Sequence, residues 1–220
     1  MREPAGAARR EFRAQLHELE ARLVDAADRV TTGCADITRA FLDGDHEAAT
    51  RAETACQELG RTCLEIEQDA YLLLARQSPV ARDLRRIMVI VRSSGNIERS
   101  GSLLGHVAES LAWVDPTQLA GELRELVARL GAVSARIWAG AVAAWRAHDG
   151  LAAVELQRDD DEVDDLQRRL LREIYAGSCT VEEAVTLALI GRYYERVADH
   201  AVTLARGVTY IVTGDRLVDV

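Results

Sequence analysis

The chain has 220 residues, room for one or two domains with a sizeable core. A formal net charge of −9 and a pI of about 5.1 exclude a nucleic-acid binder that works through a basic surface. They favour metal ions or a positively charged partner surface instead.

Three prolines, 5 % aromatics and abundant Ala, Leu, Arg and Glu favour helix, and every one of the 27 basic residues is Arg. Met1 to Phe12 carries charges but no apolar core, so no signal peptide is expected. No run of about 18 uncharged apolar residues suggests a membrane-spanning helix. Cys34, Cys56, Cys63 and Cys179 show no C-x-x-C and no His at ligand spacing, so they are expected as free, buried small hydrophobes.

Residues 8–42 place Phe12, Leu16, Leu19, Leu23, Val30, Ile37 and Phe41 at helical spacing. Asp43-Gly44-Asp45 then supplies a terminal glycine and a new N-cap. A second helix runs to about Arg76. Ser78-Pro79 is expected to stop it and start a third, with Ser as N-cap and Pro at the first helical position. That third helix reaches about Ala112. Asp115-Pro116 repeats the device, with Gln118 at the capping-box position, and opens a fourth helix over about 117–147. Asp149-Gly150 marks the next turn. A fifth helix spans 151–176 and Gly177 closes it. Thr180 with Glu183 opens a sixth, which Gly214 closes ahead of a loose tail, 215–220. No sustained period-two run reads as strand. The fold class is all-α: six long helices joined by short turns, hence antiparallel neighbours.

The two halves resemble each other. Asn96-Ile97-Glu98-Arg99-Ser100-Gly101-Ser102 echoes Tyr193-Tyr194-Glu195-Arg196-Val197-Ala198-Asp199, 97 positions on, and the turn at Asp45 echoes the turn at Asp149, 104 positions on. An internal repeat of this size reads as two copies of a three-helix unit, residues 1–114 and 115–220.

Glu195 and Asp199 are four apart, so a helix presents both carboxylates on one face. Asp160 and Asp164 repeat that spacing within the acidic run 159–165. If the fifth and sixth helices are antiparallel neighbours, the four carboxylates converge on one groove. They cannot then all stay ionised without a cation, and hard cations prefer carboxylate oxygens. From spacing alone, a solvated acidic face paired with Arg158, Arg168 and Arg169, and braced by Arg192 and Arg196, accounts for the run equally well. In the first half the equivalent positions are Cys56, Gly60 and Ser102, and only Glu98 remains. The candidate ligands are therefore Asp160, Asp164, Glu195 and Asp199, with Glu98 as the remnant of a first-half set.

The junction Gln77-Ser78-Pro79-Val80-Ala81-Arg82-Asp83-Leu84-Arg85, the two Glu-Arg motifs, the run Asp160 to Asp164 and Glu195-Arg196-Val197-Ala198-Asp199-His200 together resemble the PhoU family of phosphate-transport regulatory proteins over nearly the whole chain. Ala198 stands for the family's usual Gly, and Cys56, Gly60 and Ser102 depart from its pattern. The resemblance implies two pseudo-symmetric three-helix bundles. It implies bound iron, zinc, manganese or magnesium on the acidic faces. It also implies a cytoplasmic, non-enzymatic negative regulator, expected as a homodimer, that links the ATPase of the phosphate ABC transporter to the phosphate-sensing histidine kinase. Such a protein meets the membrane only through its partners.

Two other readings stay open. One is a di-metal carboxylate helical-bundle enzyme. That class uses Glu-x-x-His, and none of His17, His46, His106, His148 and His200 has Glu three residues before it. The other is a metal-free helical scaffold. Neither a Gly-rich phosphate loop nor a Ser or Cys with a plausible His base is legible in the chain.

Overall fold

The computed structural model describes residues 4–177 and 179–215, with side chains from residue 9 onward. The expected tail beyond Asp215 lies outside the described residues. Six α-helices account for the fold: α1 (Pro4–Asp43), α2 (His46–Gln77), α3 (Ala81–Glu109), α4 (Gly121–Ala147), α5 (Ala152–Tyr175) and α6 (Val181–Thr213). Two short 3₁₀ turns, Ser110–Ala112 and Pro116–Gln118, join α3 to α4, and no strand occurs among the described residues.

Several helix ends follow the local chemistry. Gly44, Gly177 and Gly214 adopt positive φ where helices close. Thr180 and Glu183 form a full capping box at the start of α6, a device worth about 1 kcal/mol. Asp45 caps α2 by accepting from the Ala48 N–H.

Two expected starts are corrected. Ser78 does not cap α3. Pro79 denies it the right-handed helical region, so Ser78 turns left-handed (φ 44°) and closes α2 by donating its N–H to Leu74. Extended Val80 then precedes α3 without a side-chain cap. Asp115-Pro116 does cap a helical turn, since Asp115 accepts from the Thr117 N–H, but the turn is 3₁₀ and ends at Gln118. Leu119 is extended and buried, so α4 begins only at Gly121 and Gln118 forms no capping box. At the α4–α5 turn the left-handed residue is His148 (φ 52°), one before Asp149.

Side-chain contacts fix the helix directions. Arg22 meets Asp69 at 2.6 Å and Glu98 lies beside Gly60, so α2 runs antiparallel to α1 and α3. In the same way Arg129 and Arg136 meet Glu162 and Gln157 meets Arg206, so α5 runs antiparallel to α4 and α6. The two halves join along two seams. On one, Thr38 faces Gly131 and Asp28 meets Arg146, so α1 and α4 are antiparallel. On the other, Val89 faces Gly207 and Ser100 meets His200, so α3 and α6 are antiparallel. A continuous apolar core, from Leu16 and Ile37 through Ile97 and Leu130 to Trp138, Tyr194 and Val208, fills both halves and the seams. Each fully buried Leu or Ile there contributes about 1.5–3 kcal/mol of transfer free energy.

By length and composition α4 is apolar enough to cross a membrane. Its apolar residues, Leu123, Val127, Leu130, Ile137 and Trp138 among them, are instead buried in the core, because α4 is wrapped by α1, α5 and α6. Trp145 is buried with Trp138, whereas Trp113 is two-thirds exposed.

Candidate functional site

The amphipathic register of α5 divides its acidic run. Asp159 and Glu162 face α4, where Arg136 takes Asp159 at 3.5 Å and Glu162 at 2.7 Å, and Arg129 adds a contact to Glu162 at 3.2 Å. Asp165 pairs with Arg168 at 2.6 Å. Arg169 reaches across to Glu122 instead, at 3.9 Å. The solvated-face reading therefore holds for part of the run, with Arg136 and Arg129 from α4 as its main partners.

Asp160 and Asp164 face the other way, toward α6. There they meet Glu195 and Asp199, and all four are half-buried. Asp160 shows the convergence most clearly. Burial, followed by the charges of Asp199, Asp164, Asp161 and Glu195, pushes its pKa from 3.8 to about 7. Burial also raises Asp199 and Glu195, while Arg196 and Arg192 partly offset the rise. These are the conditions in which a carboxylate takes up a proton or a cation.

Each acidic pair also has protein partners. Gln157 donates to Asp160 at 3.2 Å, and Arg192 is bonded to Glu195. In this arrangement no group of three or more His, Cys, Asp or Glu side chains among the described residues is set to hold a metal ion. The donor chemistry itself suits a hard cation: desolvated carboxylate oxygens on two facing helices. Binding one requires Asp160 and Glu195 to turn from Gln157 and Arg192.

Glu98 lies apart from these four. It lines a cavity of about 490 Å³ between α2 and α3, together with Cys56, Gly60, Ser102 and His106. This groove is the first-half counterpart of the acidic one, and the repeat pairing brings its members together. Three of its four key positions carry no carboxylate. Burial pushes Cys56 up to about 11 and Cys63 up to about 12, and it raises Cys34 as well. All four cysteines are free thiols, and Cys34, Cys56 and Cys63 stay protonated at neutral pH. Cys34 and Cys63 are buried as expected, whereas Cys56 and Cys179 are half-buried.

A Ser–His contact that the sequence did not reveal lies at the α3–α6 seam. Ser100 Oγ is 2.9 Å from His200 Nδ1. The Ser hydroxyl donates its proton to the Asn96 carbonyl at 2.8 Å. His200 must therefore donate Nδ1–H to Ser100. This is the reverse of what a general base needs, and Ser100 is fully buried. The pair is a structural pin. Two further buried bonds hold α6 in register: Trp138 Nε1 donates to Val197 O at 2.9 Å, and the Tyr194 and Thr38 hydroxyls meet at 2.6 Å. Arg85, at the start of α3, lies over the Tyr210 ring at 5.9 Å and so docks α3 on the end of α6.

Comparison with known proteins agrees with this architecture. The family model described as the PhoU domain matches twice, at residues 23–111 and 127–208. The phosphate-specific transport system accessory protein PhoU homolog 1 of Mycobacterium leprae is 34 % identical, covering 92 % of this chain and 93 % of the relative. PhoU homolog 2 of Mycobacterium tuberculosis is 33 % identical, covering 92 % and 97 %. The crystal structure of the phosphate transport system regulatory protein PhoU from Streptococcus pneumoniae superposes with a TM-score of 0.86 at 24 % identity, covering 95 % of this chain and all of that one. PhoU from Pseudomonas aeruginosa gives 0.85, covering 93 % and all of that chain. With both repeats matched and the six-helix fold shared, the chain belongs to the PhoU family.

Proposed function

We propose that this protein is a non-catalytic accessory regulator of phosphate transport. In this reading it represses phosphate uptake and phosphate-starvation signalling by contacting the transporter ATPase and the sensor histidine kinase from the cytoplasm. The observation that carries the reading is the PhoU domain matched in both halves, with relatives named as transport accessory proteins over nearly their full length. The long rigid helices and the net charge of −9 suit docking on a basic patch of a partner.

Metal binding at Asp160, Asp164, Glu195 and Asp199 belongs to the same proposal, supported by their mutual desolvation and repulsion. A bound cation would neutralise the groove and stiffen the α5–α6 face for docking. The enzyme alternative draws no support from His200, whose Nδ1 is spent on Ser100.

The test is a deletion strain grown in high phosphate, with phosphate uptake and starvation-gene transcription measured together. Loss of both repressions, restored by the intact gene, is the expected result. Normal repression in the deletion strain, with no second copy of the gene present, overturns the reading.

A further inference from the structure

The two halves leave matching apolar surface uncovered. The 97-position offset between α3 and α6 places Leu84 on Val181 and Met88 on Val185, and the 104-position offset between α2 and α5 places Tyr71 on Tyr175. All six side chains are exposed, to 82 % at Val181 and 83 % at Tyr175. Each set forms one patch. Gly60 faces Glu98 across α2 and α3, so Tyr71 stands level with Met88. Gly191 faces Leu170 across α5 and α6, so Tyr175 stands level with Val185. Clustered exposed apolar side chains mark interaction sites, whereas single ones do not.

Both patches open on one face, at opposite ends of it. Arg92, one turn beyond Met88, lines the cavity between α3 and α6. Exposed Leu189 continues the stripe of Val181 and Val185 at four-residue spacing, and Arg196, two turns further on, lines the same cavity. Val89, next to Met88, faces Gly207, which is 22 residues along α6 from Val185 (207 − 185), about 33 Å at 1.5 Å per residue. The charges beside the two patches are opposite. Residues 84–92 hold Arg85, Arg86 and Arg92 and no acid, whereas the equivalent residues 181–189 hold Glu182 and Glu183 and no base. Arg86 is held by Glu20 and Glu183 by the Thr180 cap, which leaves Arg85 and Arg92 to the first patch and Glu182 to the second. Exposed Arg82 adds to the first, in the opening turn of α3, where a cation runs against the helix dipole. The other helix of each patch carries a charge of the other sign, Glu67 on α2 and Arg172 on α5, so the contrast lies in α3 and α6.

We propose that these patches are the contact surface between two copies of this chain, the first patch of each copy packing on the second patch of the other. A foreign partner with its own twofold symmetry would offer one kind of surface to both patches and would match the charge of only one. A second copy offers each patch an apolar surface rimmed by the opposite charge, which sets the register as well as the attraction. Because the two patches share a face and lie at its opposite ends, both contacts form at once, and the pair closes about a twofold axis instead of growing into a filament. The middle of that face carries Arg99 and Arg196 as well as Asp160 and Asp199, so facing copies do not meet there with a single sign of charge. Neither the regulatory reading nor a bound metal is needed for this contact.

The experiment is sedimentation equilibrium of the full chain over a concentration series at low salt. The wild type is expected to reach the mass of a dimer and to go no further. Arg82→Glu/Arg92→Glu reverses the first patch and Glu182→Arg reverses the second. Each variant should dimerise at least about tenfold more weakly than the wild type, with an unchanged melting temperature, since all three side chains are exposed. An equimolar mixture of the two variants should associate as the wild type does, because every contact in the mixed pair again joins opposite charges. Met88→Gln/Val185→Gln should weaken the dimer too, whereas Glu125→Arg, exposed on α4 and outside both patches, should leave it intact. A monomeric wild type would assign the patches to a different macromolecule and overturn the proposal. It is also overturned if both charge variants keep wild-type affinity, if their mixture stays dissociated, or if Glu125→Arg dissociates as far as Glu182→Arg.

Discussion

The Nδ1–H of His200 donates to Ser100 Oγ at 2.9 Å, and this bond ties α6 to α3 where the two halves of the chain cross. Ser100→Ala leaves that N–H without its acceptor in a buried place. The expected cost is about 1–3 kcal/mol, read as a lower urea midpoint at constant m. A midpoint equal to that of the wild type would show that the bond does not hold the seam.

Stability should depend on pH in two opposed ways. Burial, then the charges of Arg196 and Arg99, depress His200 from 6.5 to about 4. The unfolded chain takes up this proton first, so the contribution is whole at pH 7 and is lost as pH falls from about 6.5 to about 4. Asp160 is raised from 3.8 to about 7. Its contribution is whole below pH 3.8 and is lost as pH rises through 7. Asp160→Asn should therefore stabilise the metal-free protein at pH 8 by roughly 1 kcal/mol, after discounting for the solvent that reaches the groove. The gain should vanish toward pH 4. Denaturation curves at pH 4, 6 and 8 check the sign, and a gain independent of pH would contradict it.

Metal addition should raise the melting temperature of the wild type, since a ligand of the folded state stabilises by mass action. Asp160→Asn/Asp199→Asn should lose that rise, whereas Glu98→Gln should keep it, because Asp160 and Asp199 belong to the facing carboxylate pairs of the second-half groove and Glu98 does not. Thermal scans with and without manganese, zinc or magnesium measure this directly. A response lost with Glu98→Gln but kept by the double variant would move the site to the first half.

Gly131 lies where α4 crosses α1. A Cβ built there would sit 2.0 Å from Thr38 Oγ1 and 2.8 Å from Thr38 Cβ. Thr38 is β-branched, buried and bonded to Tyr194, so it has little room to yield. Gly131→Ala should destabilise by about 1–3 kcal/mol despite its better helix propensity. Gly121→Ala, with nothing within 4 Å of the new Cβ, provides the control and should be neutral or slightly stabilising.

The features legible in the sequence were those set by local spacing. Apolar residues recurring from Phe12 to Phe41 gave α1, Thr180 with Glu183 gave the start of α6, and the four-residue steps gave the two carboxylate pairs their common faces. The features missed were set between distant segments or by competing local geometry. Ser100 and His200 are 100 positions apart, and nothing near either one announces the other. Arg136 and Arg129 pair with two of the six acids of the run, Asp159 and Glu162, from a different helix, so the run is less uniform than its spacing suggests. The Ser78-Pro79 pair reads as an N-cap followed by a first-turn proline, but Pro79 decides the Ser78 backbone, and the serine ends one helix without starting the next.

The seams between α1 and α4 and between α3 and α6 bear on how the two repeats diverge. Because each half completes the other's core, loss of acidic side chains from the α2–α3 groove leaves the first half indispensable as a scaffold. Changes at Thr38, Val89 or Ser100, which face the second half, then disturb both halves at once, whereas Cys56, Gly60 and Ser102 line the groove between α2 and α3. A duplicated chain joined in this way can let one copy of a site drift while neither copy of the fold is dispensable.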